Sequence, residues 1–233
     1  MKEIEFGELF QKFIEDNLDS KYRFDILLKE IESFQGIPDY IGVSVKDKNA
    51  CKKFLEDVLD ENWYSISKIL SNLSHRKGHT ISYVAEKTGI NISILEKELI
   101  FLQNRNLVFQ DKYGIYKLQK DFILPNLQIF SFELKIENWK RALFQAIRYK
   151  TFSDYSYVVM PKEKQSLLEK NIVIFKQNNI GVAVFDKLNK RIETINRATK
   201  NKCISKEHLC YMSGKILFAY QNKQHVSSTI KII

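Results

Sequence analysis

Apolar residues at Phe6, Leu9, Phe10, Phe13 and Ile14 recur at helical spacing and predict a helix over 3–17. Residues 24–31 and 37–45 form two strand-like runs. The turn Phe34-Gln35-Gly36 separates them, the pattern of a β-hairpin. A short helix over 50–59 would bury Cys51, Phe54, Leu55 and Val58 on one face. From about Glu61 the pattern changes. Trp63, Ile66, Ile69, Leu70 and Leu73 make the stripe of an amphipathic helix. Residues 80–89 read as a shorter helix closed by Gly89, the residue type suited to a left-handed C-terminal position. Asn91 or Ser93 can cap the next helix, whose buried stripe would be Ile94, Leu95, Leu99 and Leu102. A hairpin over 107–118 follows, with its turn at Asp111-Lys112-Tyr113-Gly114.

After Pro125 the strand pattern returns at 128–136, followed by a helix over 138–150 and a strand at 157–160 stopped by Pro161. Residues 162–179 mix helical and apolar character, and the run 172–175 has strand length. Strands are expected at 181–185 and, paired beside it, at 190–196. A helix over 205–220 ends the pattern. This β–α–β order predicts an α/β sheet, with 61–119 inserted between the first hairpin and the remaining strands.

Composition adds a modest lead. The 233 residues carry 37 Lys+Arg against 28 Asp+Glu, a net charge of +9, which suits a polyanionic partner without demanding one. With 44% hydrophobic residues but only 8 Gly and 3 Pro, the chain has the makings of a folded core and mostly regular structure. The early acids Glu3 and Glu5 and the lack of a long apolar run lead us to expect no secretory signal and no membrane span. The expectation is therefore a cytoplasmic protein whose Cys51, Cys203 and Cys210 are reduced thiols. Cys203, His208 and Cys210 lack the paired-cysteine clamp of a structural zinc site, and His75, His79 and His225 are isolated in sequence. No glycine-rich phosphate loop, serine elbow or zinc-protease helix is present.

Two segments carry candidate chemistry: Pro38-Asp39 in the first hairpin and Glu133-Leu134-Lys135 on the strand 128–136. Residues two apart on a strand share a face, so Glu133 and Lys135 point together while Phe132, Leu134 and Ile136 point to the core. Carboxylates can hold Mg²⁺ through hard oxygens, and a neighbouring lysine can orient a water or balance charge at a phosphate. On the following helix Gln145 and Tyr149 stand four apart, hence on one face.

This order resembles the PD-(D/E)XK, or restriction-endonuclease-like, nuclease superfamily. The Gln145–Tyr149 helix resembles the added motif of its exonuclease- and resolvase-like branch. Residues 61–119, with Ala85, Gly89, Leu99 and Leu102, resemble a winged helix-turn-helix domain. The resemblance implies a mixed α/β sheet flanked by helices over 1–60 and 120–233, with the winged helix inserted at 61–119. It also implies a Mg²⁺- or Mn²⁺-dependent DNA endonuclease, plausible as a homodimer and in restriction or phage defence. Asp39, Glu133 and the Leu134 carbonyl would bind metal. Lys135 would position the nucleophilic water, Gln145 would steady the metal site or a phosphate, and Tyr149 would pack against or hydrogen-bond near the scissile phosphate. A further acid is expected on the first helix, Glu8 ahead of Glu15, with Glu32 as a competitor. Ser93, Lys97, Asn104 and Lys112 of the winged helix, and Lys140, Arg141 and Arg148 behind the site, are the candidate DNA contacts. Lys187, Lys190, Arg191, Arg197, Lys200 and Lys202 form a later basic cluster. The rival expectations are a non-catalytic winged-helix DNA-binding regulator on an inactive nuclease scaffold, and a subunit that binds only protein.

Overall fold

The computed structural model describes residues 2–16, 24–57, 63–202, 204–224 and 226–228. Asn17, Val58, Leu59, Glu61, Cys203 and His225, which figured in the sequence reading, lie outside these residues. The elements run α1 (Glu3–Asp16), β1 (Ile26–Lys29), β2 (Tyr40–Val45), α2 (Lys48–Asp57), α3 (Trp63–Asn72) and α4 (Ile81–Thr88). They continue with α5 (Ile92–Asn104), β3 (Val108–Gln110), β4 (Tyr116–Leu118), β5 (Leu127–Leu134), α6 (Trp139–Tyr149) and β6 (Tyr155–Pro161). Then come α7 (Gln165–Lys170), α8 (Ile172–Gln177), β7 (Gly181–Asp186), β8 (Arg191–Asn196), α9 (Lys206–Gln221) and β9 (Ser227–Ser228).

The chain divides into two units. The first comprises 1–46, 127–205 and 224–231. It is a mixed α/β unit built on a sheet in the order β8-β7-β6-β5-β2-β1-β9. β5, β6 and β7 run parallel, whereas β1 and β2 form the expected antiparallel hairpin, and β2 pairs antiparallel with β5. Alternation along the strands sends side chains to two cores. On one face Phe6, Phe10, Phe13 and Ile14 of α1 pack on Phe132, Leu134, Val159 and Phe185. On the other, Ala142, Leu143 and Ala146 of α6, with Leu168 and Phe175, cover Val158, Met160, Val182 and Val184. Leu9, expected in the α1 stripe, is exposed.

A buried hydroxyl cluster fixes α6 to the sheet. Ser131 Oγ lies 3.0 Å from both Ser153 Oγ and Ser156 Oγ. Ser156 donates to the Ala146 carbonyl at 2.7 Å, and Ser153 to the Tyr149 carbonyl at 2.8 Å. Asn138 caps α6 by accepting from the Arg141 N–H at 3.0 Å.

The run 172–175, which has strand length, is helical in α8. Phe175 is buried while Val173 is 60% exposed. A single buried ring per turn suits a helix laid on a sheet, and four apolar residues do not distinguish the two structures.

Among the described residues the second unit comprises 47–57, 63–126 and 206–223, broader than the expected 61–119. α2 and α9 belong with α3, α4, α5 and the β3–β4 hairpin. Thr80 caps α4 by accepting from the Tyr83 N–H, and Gly89 closes it at φ 68° with its N–H on the Ala85 carbonyl. Asn91 caps α5, whose buried residues are Leu95, Leu99 and Leu102. Ile94, expected in that stripe, is 51% exposed, being one residue off its phase. α9 joins this unit because Gly214 lets it approach the buried Trp63 of α3. A Cβ at Gly214 would stand 2.0 Å from the indole. Phe54 of α2 stacks on the same indole at 5.3 Å. Gly214→Ala is therefore expected to destabilise the protein by about 1–3 kcal/mol despite alanine's better helix propensity, as overpacking of a core does. Thermal unfolding monitored by Trp fluorescence reads this directly.

Candidate active site

Asp39 leads into β2 and Glu133 stands near the end of β5, one strand over. The hairpin and the β2–β5 pairing bring the two segments together: Tyr40 lies opposite Phe132. Asp39 Oδ2 accepts the Leu134 N–H at 2.7 Å, tying the first segment to the second. Glu133 points to the α6 face, away from Phe132 and Leu134, and is 1% exposed. Its Oε2 lies 2.8 Å from the Tyr149 hydroxyl, which is also 3.0 Å from the Ile37 carbonyl. Lys135 follows the last β5 residue, and its N–H continues the sheet pairing to the Val159 carbonyl at 3.1 Å.

The Lys135 ammonium gathers three oxygens. Nζ is 2.8 Å from Glu133 Oε1 and 2.9 Å from Glu3 Oε1. It donates to the Leu134 carbonyl at 3.0 Å. Both oxygens of Glu133 are thus engaged, Oε1 by the Lys135 charge and Oε2 by the Tyr149 hydroxyl. A cavity of about 170 Å³ opens beside the cluster, lined by Glu3, Gly7, Lys29, Glu30, Asp39 and Leu134 among others.

Burial raises Asp39 above the ordinary carboxylate range, and the Leu134 hydrogen bond and the Lys135 charge only partly offset this. Burial likewise raises Glu133, and the nearby Asp39 charge adds to it. Burial opposes the Lys135 charge, but Glu133, Glu3 and Asp39 outweigh it and hold the ammonium above its usual value. Tyr149 is raised by burial and by Glu133. The site thus holds two carboxylates short of compensating charge, next to one cation.

Most residues predicted from the sequence meet here. Asp39, Glu133, the Leu134 carbonyl and Lys135 form the cluster. Tyr149 is buried against Glu133, so it holds that carboxylate rather than reaching outward to a phosphate. Gln145 lies beside Tyr149, and its Oε1 is buried with no hydrogen-bond partner. The acid on α1 is Glu3, not Glu8. Glu8 stands exposed and outside the cavity lining, two residues from both Phe6 and Phe10 and hence on the other side of the helix. Glu15 accepts from Gln11 at 3.1 Å, and Glu32 is exposed in the loop after β1. Glu3 was legible from its spacing of three and seven to Phe6 and Phe10, which places it on the buried side.

The basic candidates fall into separate groups. Lys140, Arg141 and Arg148 are exposed on α6. Lys187 faces Glu163 at 3.6 Å and Arg191 faces Glu193 at 2.7 Å, which takes both out of the late cluster. In the second unit Lys97, Asn104 and Lys112 are exposed. Ser93 is exposed, with its hydroxyl donating to the Asn91 cap at 2.8 Å.

Among the described residues, no group of three or more His, Cys, Asp or Glu side chains is placed to hold a metal ion, and no helix is long and apolar enough to cross a membrane. Comparison with family models, curated proteins and solved structures finds no match to this chain.

Proposed function

We propose that the chain is a divalent-metal-dependent DNA endonuclease of the PD-(D/E)XK type, with a winged helix in its second unit. The observation that carries this is the cage of Glu133, Glu3 and the Leu134 carbonyl around Lys135, with Asp39 fixed beside it. Mg²⁺ is commonly held by only one or two carboxylates with retained waters, so Asp39, Glu133 and the Leu134 carbonyl fit it. The cavity beside Asp39 and Leu134, and the two buried carboxylates served by one cation, support that fit. Bound Mg²⁺ or Mn²⁺ would supply Lewis-acid polarisation of the phosphate and a more acidic water. Lys135 would orient the attacking water and offset charge at the phosphate. Tyr149 and Gln145 would hold Glu133 in place.

DNA as substrate rests on the +9 charge and on Lys140, Arg141 and Arg148, exposed on the helix whose other side carries Tyr149. The order α3, α4, turn, α5, hairpin supports a winged-helix reading of the second unit. Two copies would be needed to cut both strands at once, which favours a homodimer. Such an enzyme suits restriction or phage defence. One observation favours the second reading, a non-catalytic DNA-binding scaffold: the ammonium of Lys135 is already engaged by Glu133 and Glu3.

The deciding experiment incubates the protein with long mixed-sequence DNA and Mg²⁺ or Mn²⁺ and maps the ends. Metal-dependent cleavage is expected. DNA that is bound yet stays intact across substrates would favour the scaffold.

A further inference from the structure

The sheet face under α1 carries a second cavity, of about 260 Å³. Its walls are Phe24, Phe130, Phe132, Tyr157 and Ile14, with Arg197 at one side. These rings belong to the face opposite Glu133, so the cavity is separate from the carboxylate cluster. They are ordered against one another. Phe130 stacks on Tyr155 at 4.7 Å and 12°, and Phe132 on Tyr157 at 5.8 Å and 25°. Tyr157 lies flat across the neighbouring strand because Gly181 leaves room: a Cβ there would stand 2.2 Å from the ring.

Arg197 also lines an open cleft of about 440 Å³ with Lys176, Lys200 and Lys202. Hydrogen bonds brace this cleft. Asn179 accepts from the Thr199 N–H at 2.8 Å, and Asn196 donates to the Ile180 carbonyl at 2.9 Å. Lys200 contacts Asp154 at 3.3 Å. Among the described residues, Arg197, Lys176 and Lys202 have no carboxylate partner, and neither cavity has an acid in its lining.

An aromatic slot and a cationic cleft that share one arginine match a planar heterocycle joined to a phosphate. We propose that this face binds a nucleoside phosphate unit, base in the aromatic cavity and phosphate in the cleft, with Arg197 at the junction. Rings stack on bases without regard to sequence, and a guanidinium can hold phosphate through two parallel hydrogen bonds. The cavity falls below the roughly 300 Å³ where pockets for drug-sized ligands begin, so it admits one ring system. The unit can come from a free nucleotide or from a nucleic-acid strand.

The test is calorimetric titration of the whole protein in EDTA with adenosine, inorganic phosphate, AMP, ATP and a six-nucleotide single-stranded DNA. Expected is saturable binding of a nucleotide or the oligonucleotide, tighter than either adenosine or phosphate alone. Thr194→Trp, filling the cavity from an exposed rim position, and Arg197→Ala should each weaken it by about tenfold or more. Glu133→Gln should leave it unchanged, which separates this site from the proposed catalytic one. Tighter binding of free nucleotide identifies a small-molecule site, and tighter binding of the oligonucleotide identifies a strand site. Arg197 is exposed, so its variant stays informative if Thr194→Trp fails to fold. No saturable binding by any ligand, or binding unchanged by Arg197→Ala, overturns the proposal.

Discussion

Lys135→Met is expected to lower metal-dependent DNA cleavage by about 10³-fold while leaving DNA binding nearly intact. Methionine keeps the stem volume and removes only the ammonium. That ammonium stands 2.8 Å from Glu133, and its side chain is 14% exposed. Its neighbours are oxygens at 2.8, 2.9 and 3.0 Å, so its position is fixed before any substrate arrives. A group so fixed needs little reorganisation in the transition state, which is where electrostatic catalysis gains most. Glu3→Gln should have a much smaller effect, because Glu3 is 48% exposed and solvent screens it. Cleavage rates for the two variants, with thermal unfolding as the control for folding, make the comparison. Undiminished cleavage by the Lys135 variant would remove the catalytic reading.

The parts of this architecture that rest on local patterning were legible in the sequence. β5 alternates Phe130, Phe132 and Leu134 with Ser131 and Glu133, so the pleat alone separates core from site. The Gln145–Tyr149 spacing put both residues on one side of α6, and the structure brings Tyr149 to Glu133. What failed depends on partners that periodicity does not name. The run 172–175 looks the same as strand or helix until the sheet beneath it is known. α9 was legible as a helix, but its place beside α3 depends on Gly214 meeting Trp63, residues far apart in sequence. Glu8 lies near Phe6 and Leu9 in sequence, beside the core stripe, whereas helical phase favours Glu3. The aromatic cavity has no sequence signature because Phe24, Phe130 and Tyr157 converge only through strand pairing.

Asp39→Asn is expected to abolish metal-dependent cleavage and yet stabilise the metal-free protein at neutral pH. Asparagine keeps an oxygen that can accept the Leu134 N–H, so the link between the two segments survives. It removes a charge that burial, and then the nearby Glu3 and Glu30, oppose, and that itself raises Glu133. The sign follows from the direction of the shift. A carboxyl raised on folding contributes stability below its unfolded value, and that contribution is lost as pH rises through the folded value. Ionised Asp39 therefore weighs against the fold at neutral pH, and asparagine imitates the protonated form. The gain should be present near neutrality and should vanish below the ordinary carboxylate range. Metal should stabilise the two proteins unequally. Mg²⁺ or Mn²⁺ at 100 times its dissociation constant would stabilise the native chain by about 2.7 kcal/mol, and the variant by far less. Thermal unfolding from pH 4 to 8, in EDTA and in metal, measures both effects. A variant less stable than the native chain in EDTA at pH 7 would show that Asp39 serves the fold first. An equal metal response in both proteins would place the cation elsewhere.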